Sequence, residues 1–282
     1  MSISPKLRDD FNRQYMEFFD SAERKRRWNP LRDVPWDKLD VSKANETSAL
    51  CVETFCAIEL FVPDYTSNGF ELHRDIFGLG WFQACWGFEE SRHALVFREY
   101  LQRSGLRSAE QYQTFEAQVL AKPWARPFLT SRQMLCYGAL QECATYLIYR
   151  AQRVLAQQIE DEVLSSIYFY VSRDEAAHMG FYRDALRAWM EEDRDGTLED
   201  LSEVVTNFRM PGTSILPDYQ QRLGVNGVGI SSQDFLEHGI FPTLRAVGTS
   251  RTELMAARRR AESRKVAAAP EAPIGLSRAV GA

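Results

Sequence analysis

The chain has 282 residues, 45% of them apolar and 26% charged, with a net charge of −5 and five cysteines. This is a globular composition; its acidic balance gives no electrostatic reason to expect nucleic acid, and no apolar run approaches the roughly 18 residues of a membrane span. The N-terminus lacks the apolar core of a signal peptide, and an odd cysteine count without paired spacing predicts reduced thiols and a cytoplasmic location.

Residues 5–27 predict a charged helix that bears Phe and Tyr and ends in the basic run Arg24-Lys25-Arg26-Arg27. Pro30, Pro35 and Trp36 mark an irregular connection. A helix is expected over 45–62, stopping at Pro63-Asp64, with Asn68-Gly69 turning the chain. The next runs over 70–104, dense in Phe and Trp, and ends at Gly105. Ser108 and Gln111 have the spacing of a capping box, and Pro123 and Pro127 break the chain before a long helix over 131–158. Asp161 opens another, which runs to Arg194, and Thr197 starts a helix that ends near Met210-Pro211-Gly212. The stretch Gly224 to Gly229 is turn-rich, Ser232 caps a short helix, and 250–265 is a charged helix containing Arg258-Arg259-Arg260. The Ala/Pro/Gly-rich tail, 266–282, predicts disorder. Strand signals are scarce, so the fold is read as all-α. One domain spans 1–265: an arm over 1–43, a bundle core over about 44–194 and peripheral helices over about 197–265.

Two stretches carry the chemistry, Glu89-Glu90-Ser91-Arg92-His93 and Asp174-Glu175-Ala176-Ala177-His178. Each contains Glu-x-x-His inside an apolar helical segment, and residues three apart on a helix share a face. Glu59 and Glu142 lie in two further apolar helices, 31 and 33 residues before Glu90 and Glu175, so the halves repeat one another. That spacing suits antiparallel helix pairs with short links. A buried ionised carboxylate is costly unless it is paired, hydrogen-bonded or bound to metal. One Glu from each of two helices, with Glu-x-x-His from two others, is the plan of ferritin-like di-iron carboxylate bundles. The expected metal set is Glu59, Glu90, His93, Glu142, Glu175 and His178, holding two iron ions, since carboxylate and imidazole suit iron or manganese. The cysteines are then packing residues. A single Glu-x-x-His would be weak; it is the ordered set of six that argues for a metal site. His73 and His238 have no partner motif and read as ordinary histidines. Because a metal-bound imidazole usually donates its other N–H to an acid or carbonyl, Asp174 is expected to orient His93, and Glu89 to orient His178.

Glu59-Leu60-Phe61-Val62-Pro63-Asp64-Tyr65, Trp86-Gly87-Phe88-Glu89-Glu90-Ser91-Arg92-His93, Glu142-Cys143-Ala144-Thr145 and Asp174-Glu175-Ala176-Ala177-His178 together resemble the soluble acyl-acyl-carrier-protein desaturases. Trp28-Asn29-Pro30 and Met210-Pro211 also look like that family, and the resemblance covers about 25–215. It implies an O₂-dependent oxidoreductase of fatty acid biosynthesis that introduces a double bond into an acyl chain on acyl carrier protein. It also implies a ferredoxin-type electron donor and a homodimer. Thr145 would handle dioxygen or its protons, though a threonine at that place can equally bond the preceding helical turn. Trp28, Asp174 and His93 would form an electron path, unless Trp28 merely clamps the arm over the bundle. Arg24, Lys25, Arg26 and Arg27 would dock the acidic carrier, with Arg258, Arg259 and Arg260 a weaker patch. Phe55, Trp81, Phe82, Trp86, Tyr146 and Tyr149 are candidates for an acyl channel or plain core. The competing readings are a di-iron hydroxylase or N-oxygenase acting on another substrate, and an iron-storage or ferroxidase protein.

Overall fold

The computed structural model describes residues 3–224 and 231–267, and within them the chain is helical with no strand. Of the expected turn at Gly224 to Gly229 and the expected tail, only Gly224, Val266 and Ala267 fall inside this range; they close helices, and the rest lies outside the described residues.

Helix α1, Pro5–Ser21, starts where the Ser4 hydroxyl accepts the Leu7 N–H and Pro5 occupies the first turn, where its missing donor costs nothing. It buries Leu7, Phe11, Tyr15 and Phe18 and runs into a π-helical turn, Ala22–Arg26. After the irregular connection come α2 (Glu46–Glu59), α3 (Val62–His73) and α4 (Phe77–Arg103). Helix α3 overturns two expectations. Pro63 initiates a helix instead of terminating one, because a proline in the first turn removes no helical hydrogen bond. Asn68-Gly69 forms no turn: the Asn68 amide donates to the Asp64 carbonyl one turn back, and α3 packs on α4. The first pair of site helices is therefore joined through a whole helix, not a short link, and the break falls at 74–76 rather than near Phe70. A Cβ on Gly78 would lie 2.3 Å from the Phe11 carbonyl, so glycine is what lets the α1 backbone press against α4.

Helix α5 (Ala109–Val119) has the expected Ser108/Gln111 capping box, and α6 (Ser131–Gln158) has a second between Thr130 and Gln133. Helix α7 (Glu162–Glu192) is capped by Asp161 and pairs closely with α6. Helix α8 (Arg194–Asn207) starts before Thr197: Asp193 accepts the Gly196 N–H as the cap, and Thr197 bonds the Asp193 carbonyl from inside the helix. The periphery comprises α9 (Gly212–Ile215), α10 (Tyr219–Gly224), α11 (Ser232–Asp234, capped by Ser231 rather than Ser232), a π-helical turn, α12 (Phe241–Ala246) and α13 (Arg251–Ala267).

The apolar interior is divided in two. One cluster gathers Phe11, Phe82, Trp86, Leu140, Phe181 and Leu186; the other gathers Phe55, Phe61, Phe97, Ile148, Tyr149 and Val171. Each of α4, α6 and α7 passes from one cluster into the other, and on each the buried acids and histidines lie at the crossing. All five cysteines are buried and in no disulfide. No described helix is long and apolar enough to cross a membrane.

Candidate metal centre

All six expected donors meet at that crossing. One oxygen or ring nitrogen from each of Glu59, Glu90, His93 and Glu175 lies within 4.8 Å of the others, and Glu90, Glu142, Glu175 and His178 form a second such group. The groups share Glu90 and Glu175, one from each Glu-x-x-His helix. The i,i+3 spacing explains this: His93 Nδ1 is 3.0 Å from Glu90 Oε2 on its own helix and 3.4 Å from Glu175 on the other. His178 Nδ1 lies 3.0 Å from Glu90 Oε1. Both Nδ1 atoms therefore face the four carboxylates.

A metal fits this set by two tests. Both oxygens of Glu175, Oε2 of Glu142 and the Nδ1 atoms of His93 and His178 are buried without a hydrogen-bond partner, a condition that costs roughly 1–3 kcal/mol per group. The charges balance as well. Two divalent ions would neutralise Glu59, Glu90, Glu142 and Glu175, while the buried acids behind them, Glu89 and Asp174, are matched by buried Arg26 and Arg92. Without cations the groups contend for protons. Burial pushes Glu59 and Glu142 well above the usual carboxylate range, and the neighbouring charges of Glu90 and Glu175 push further. Burial also opposes charge on Glu90, but His93 and His178 hold its pKa low. The imidazoles are raised despite burial, because carboxylates surround them.

The outer layer follows from α4 and α7 facing each other. His178 Nε2 is 2.8 Å from Glu89, so a proton there leaves Nδ1 as the inward lone pair. His93 Nε2 is 3.5 Å from Asp174, a close approach without hydrogen-bond geometry. The Trp28 indole donates to Asp174 Oδ2 at 2.7 Å, and its ring stacks on Tyr170 at 4.8 Å. Arg92 also reaches Asp174 Oδ2, at 3.0 Å. Burial opposes ionisation of Asp174 and Glu89, yet the adjoining imidazoles and arginines keep both low.

Arg26 does not belong to a docking face. It is 7% exposed and bonds Glu89 at 3.1 Å and Asp174 at 3.3 Å. It continues the Phe18-Ala22 stripe by one more step of four, so the same periodicity that buries α1 carries it inward. Arg24, Lys25 and Arg27 are exposed, with Arg24 paired to Asp20 and Arg27 to Glu23. Arg258 and Arg260 pair with Glu262 and Asp195.

Thr145 is buried and gives its proton to the Gln141 carbonyl at 3.0 Å. Of the aromatic channel candidates, Trp81 is 52% exposed, and Phe82 stacks on Phe181 in the core. Two have roles the sequence did not suggest. The Trp86 indole donates to Glu142 at 3.1 Å, and the Tyr149 hydroxyl donates to Glu59 at 2.6 Å. Arg92 was also missed, although it lies three residues after Glu89 on the same face. His73 is buried against Ser131 and His238 is exposed, and neither belongs to a donor group.

Residues 66–223, more than half of the chain, match the fatty acid desaturase family. DesA1 of Mycobacterium tuberculosis, to which acyl-[acyl-carrier-protein] desaturation is ascribed, is 23% identical over 77% of this chain and 70% of its own length. Among solved structures, DesA2 of the same organism, likewise ascribed to acyl-ACP desaturases, superposes with a TM-score of 0.64 at 20% identity, covering 89% of this chain and 99% of that one. An R2-like ligand-binding oxidase variant with a Mn/Fe cofactor gives 0.57 at 14% identity, covering 87% and 92%. These likenesses establish the ferritin-like bundle.

Proposed function

We propose that this chain, which belongs to the fatty acid desaturase family, is an O₂-dependent, di-iron oxidoreductase that introduces a double bond into an acyl chain held on acyl carrier protein. The observation that carries this reading is the pair of four-donor groups sharing Glu90 and Glu175. Two iron ions held there would supply the oxidant that an unactivated C–H bond demands and no side chain provides. In balance, O₂ takes two electrons and two protons from adjacent methylenes and two of each from donor and solvent, giving an alkene and two waters.

This chain's residues do the rest. Glu59, Glu90, His93, Glu142, Glu175 and His178 would hold the ions, Glu90 and Glu175 being common to both donor groups. Tyr149 and Trp86 fix the terminal carboxylates Glu59 and Glu142 by one hydrogen bond each. Glu89, 2.8 Å from His178 Nε2, would hold the proton there and leave Nδ1 to an ion. The two apolar clusters keep water from the polar layer. Electrons from a ferredoxin-type donor would enter by Tyr170, Trp28 and Asp174 toward His93, and Arg24 and Lys25 remain as the basic face for an acidic carrier. A homodimer would cover Phe77, Trp81 and Phe88, three exposed aromatics along α4.

The experiment is product analysis by mass spectrometry. The iron-loaded protein is supplied with acyl carrier proteins bearing chains of several lengths, O₂, ferredoxin and reductant. A product two mass units lighter supports desaturation. A product sixteen units heavier means hydroxylation and overturns the desaturase reading.

A further inference from the structure

Beside the proposed centre lies a chamber of about 50 Å³ between α3, α4, α6 and α7. Trp86 lines it, and the same indole donates to Glu142. Most of the wall is aromatic or aliphatic, and none of its residues is Asp, Glu, Lys or Arg. Of its polar side chains, Asn68, His73, Tyr137 and Gln141 each make a hydrogen bond elsewhere; the tips of Gln83, Tyr182 and Tyr65 do not. Gln83 is 6% exposed, and its carboxamide has no hydrogen bond to any described residue. The Tyr182 hydroxyl likewise has none, and the Tyr65 hydroxyl is buried without a partner.

The placement of these tips is built into the helices. A Cβ on Gly69 would lie 2.2 Å from Gln83 Cδ, and one on Gly138 would lie 2.7 Å from the Tyr182 ring. Glycine inside a helix is a destabilising choice, and here the space it leaves is taken by a side chain that lines the chamber. A plain methylene chain entering would leave the amide and hydroxyls dry and unpaired, and a site with buried hydrogen-bonding groups rejects ligands that lack the matching group. A charged group is excluded in turn, since no opposite charge awaits it.

We propose that this chamber is a specificity subsite for a neutral hydrogen-bonding group, a hydroxyl or carboxamide carried on the acyl substrate, which Gln83 and Tyr182 engage. The proposal rests on the carrier-borne acyl reading above and narrows its substrate class from saturated chains to polar-substituted ones.

The test is calorimetric binding of pentanamide, 1-butanol and 1-chlorobutane to the metal-loaded protein. The wild type should bind the two polar probes about tenfold tighter than 1-chlorobutane, equivalent to 1.4 kcal/mol. Gln83→Leu should abolish that preference. Gly69→Ala keeps the amide but drives a Cβ into its place, so it should produce the same loss if Gln83→Leu does not fold. Wild-type preference for 1-chlorobutane, or unchanged pentanamide binding in either variant, overturns the proposal. A second arm compares dodecanoyl and 3-hydroxydodecanoyl acyl carrier protein. If neither binds while the small polar probes do, the carrier reading fails and the chamber assignment stands.

Discussion

Asp174 is the residue on which the outer layer turns. One carboxylate oxygen takes the Trp28 indole and Arg92, the other takes Arg26, and His93 lies just beyond. If Trp28 belongs to an electron route, Trp28→Phe removes the N–H and keeps most of the ring. Iron content and melting temperature should then stay close to wild type, while stopped-flow reduction by ferredoxin slows at least about tenfold, within the range for partners of metal ligands. Wild-type reduction rates would leave Trp28 as packing. At this scale the sequence was legible wherever chemistry follows helical periodicity: the two Glu-x-x-His motifs and the acids before them. Tyr149 and Trp86 were not, because each reaches a ligand on a different helix, and that pairing is set by bundle geometry rather than spacing. Arg26 could have been found by following the α1 stripe four residues past Ala22, but its place in a basic run favoured a surface reading.

The helices were legible from their caps where a side chain supplied the signal. Ser108 and Asp161 mark starts because their oxygens satisfy otherwise unpaired N–H groups. The division of α3 from α4 was hidden because Pro63 and Asn68-Gly69 read as breakers in isolation, while packing on α4 favours a helix. His73, the last residue of α3, tests how tightly that helix is held against α6. Burial lowers its pKa from 6.5 to about 4, with the ring beside Ser131. Above pH 6.5 both folded and unfolded states are neutral there; below it, the unfolded state binds a proton that the folded state refuses. Stability is therefore lost as pH falls from 6.5 toward 4, by about 3 kcal/mol at the lower end. His73→Gln cannot titrate, so its urea-unfolding stability should fall less steeply across that window. Parallel profiles for the two proteins would mean that His73 is accessible to water.

For the molecule as a whole, the placing of a polar layer between two apolar clusters joins stability to function. That layer buries six carboxylates, Glu59, Glu89, Glu90, Glu142, Asp174 and Glu175, and two arginines with two divalent ions would balance them. Removing the metal should lower the melting temperature, since a ligand bound only by the folded state stabilises it. The outer surface carries the other expectation at this scale. Phe77, Trp81 and Phe88 form an exposed aromatic stripe along α4, larger than scattered surface apolar residues explain. Trp81→Glu should convert a dimer to a monomer in sedimentation experiments, and a monomeric wild type at micromolar concentration would remove that assignment. Overall class and the crossing of four helices at one site were readable from pattern alone. The inward-facing arginines and the chamber were not, because they depend on how helices far apart in sequence approach one another.

The decisive measurement is the metal content of the purified protein, by mass spectrometry, in wild type and two variants. About two iron ions per chain are expected in the wild type, the number that this ligand plan holds. Glu175→Ala removes a carboxylate common to both donor groups and should lose both ions with the helices still folded by circular dichroism. Glu59→Ala, which belongs to one group, should retain more iron. A wild type that holds a single zinc, or a Glu175→Ala protein with undiminished iron, would contradict the dinuclear centre.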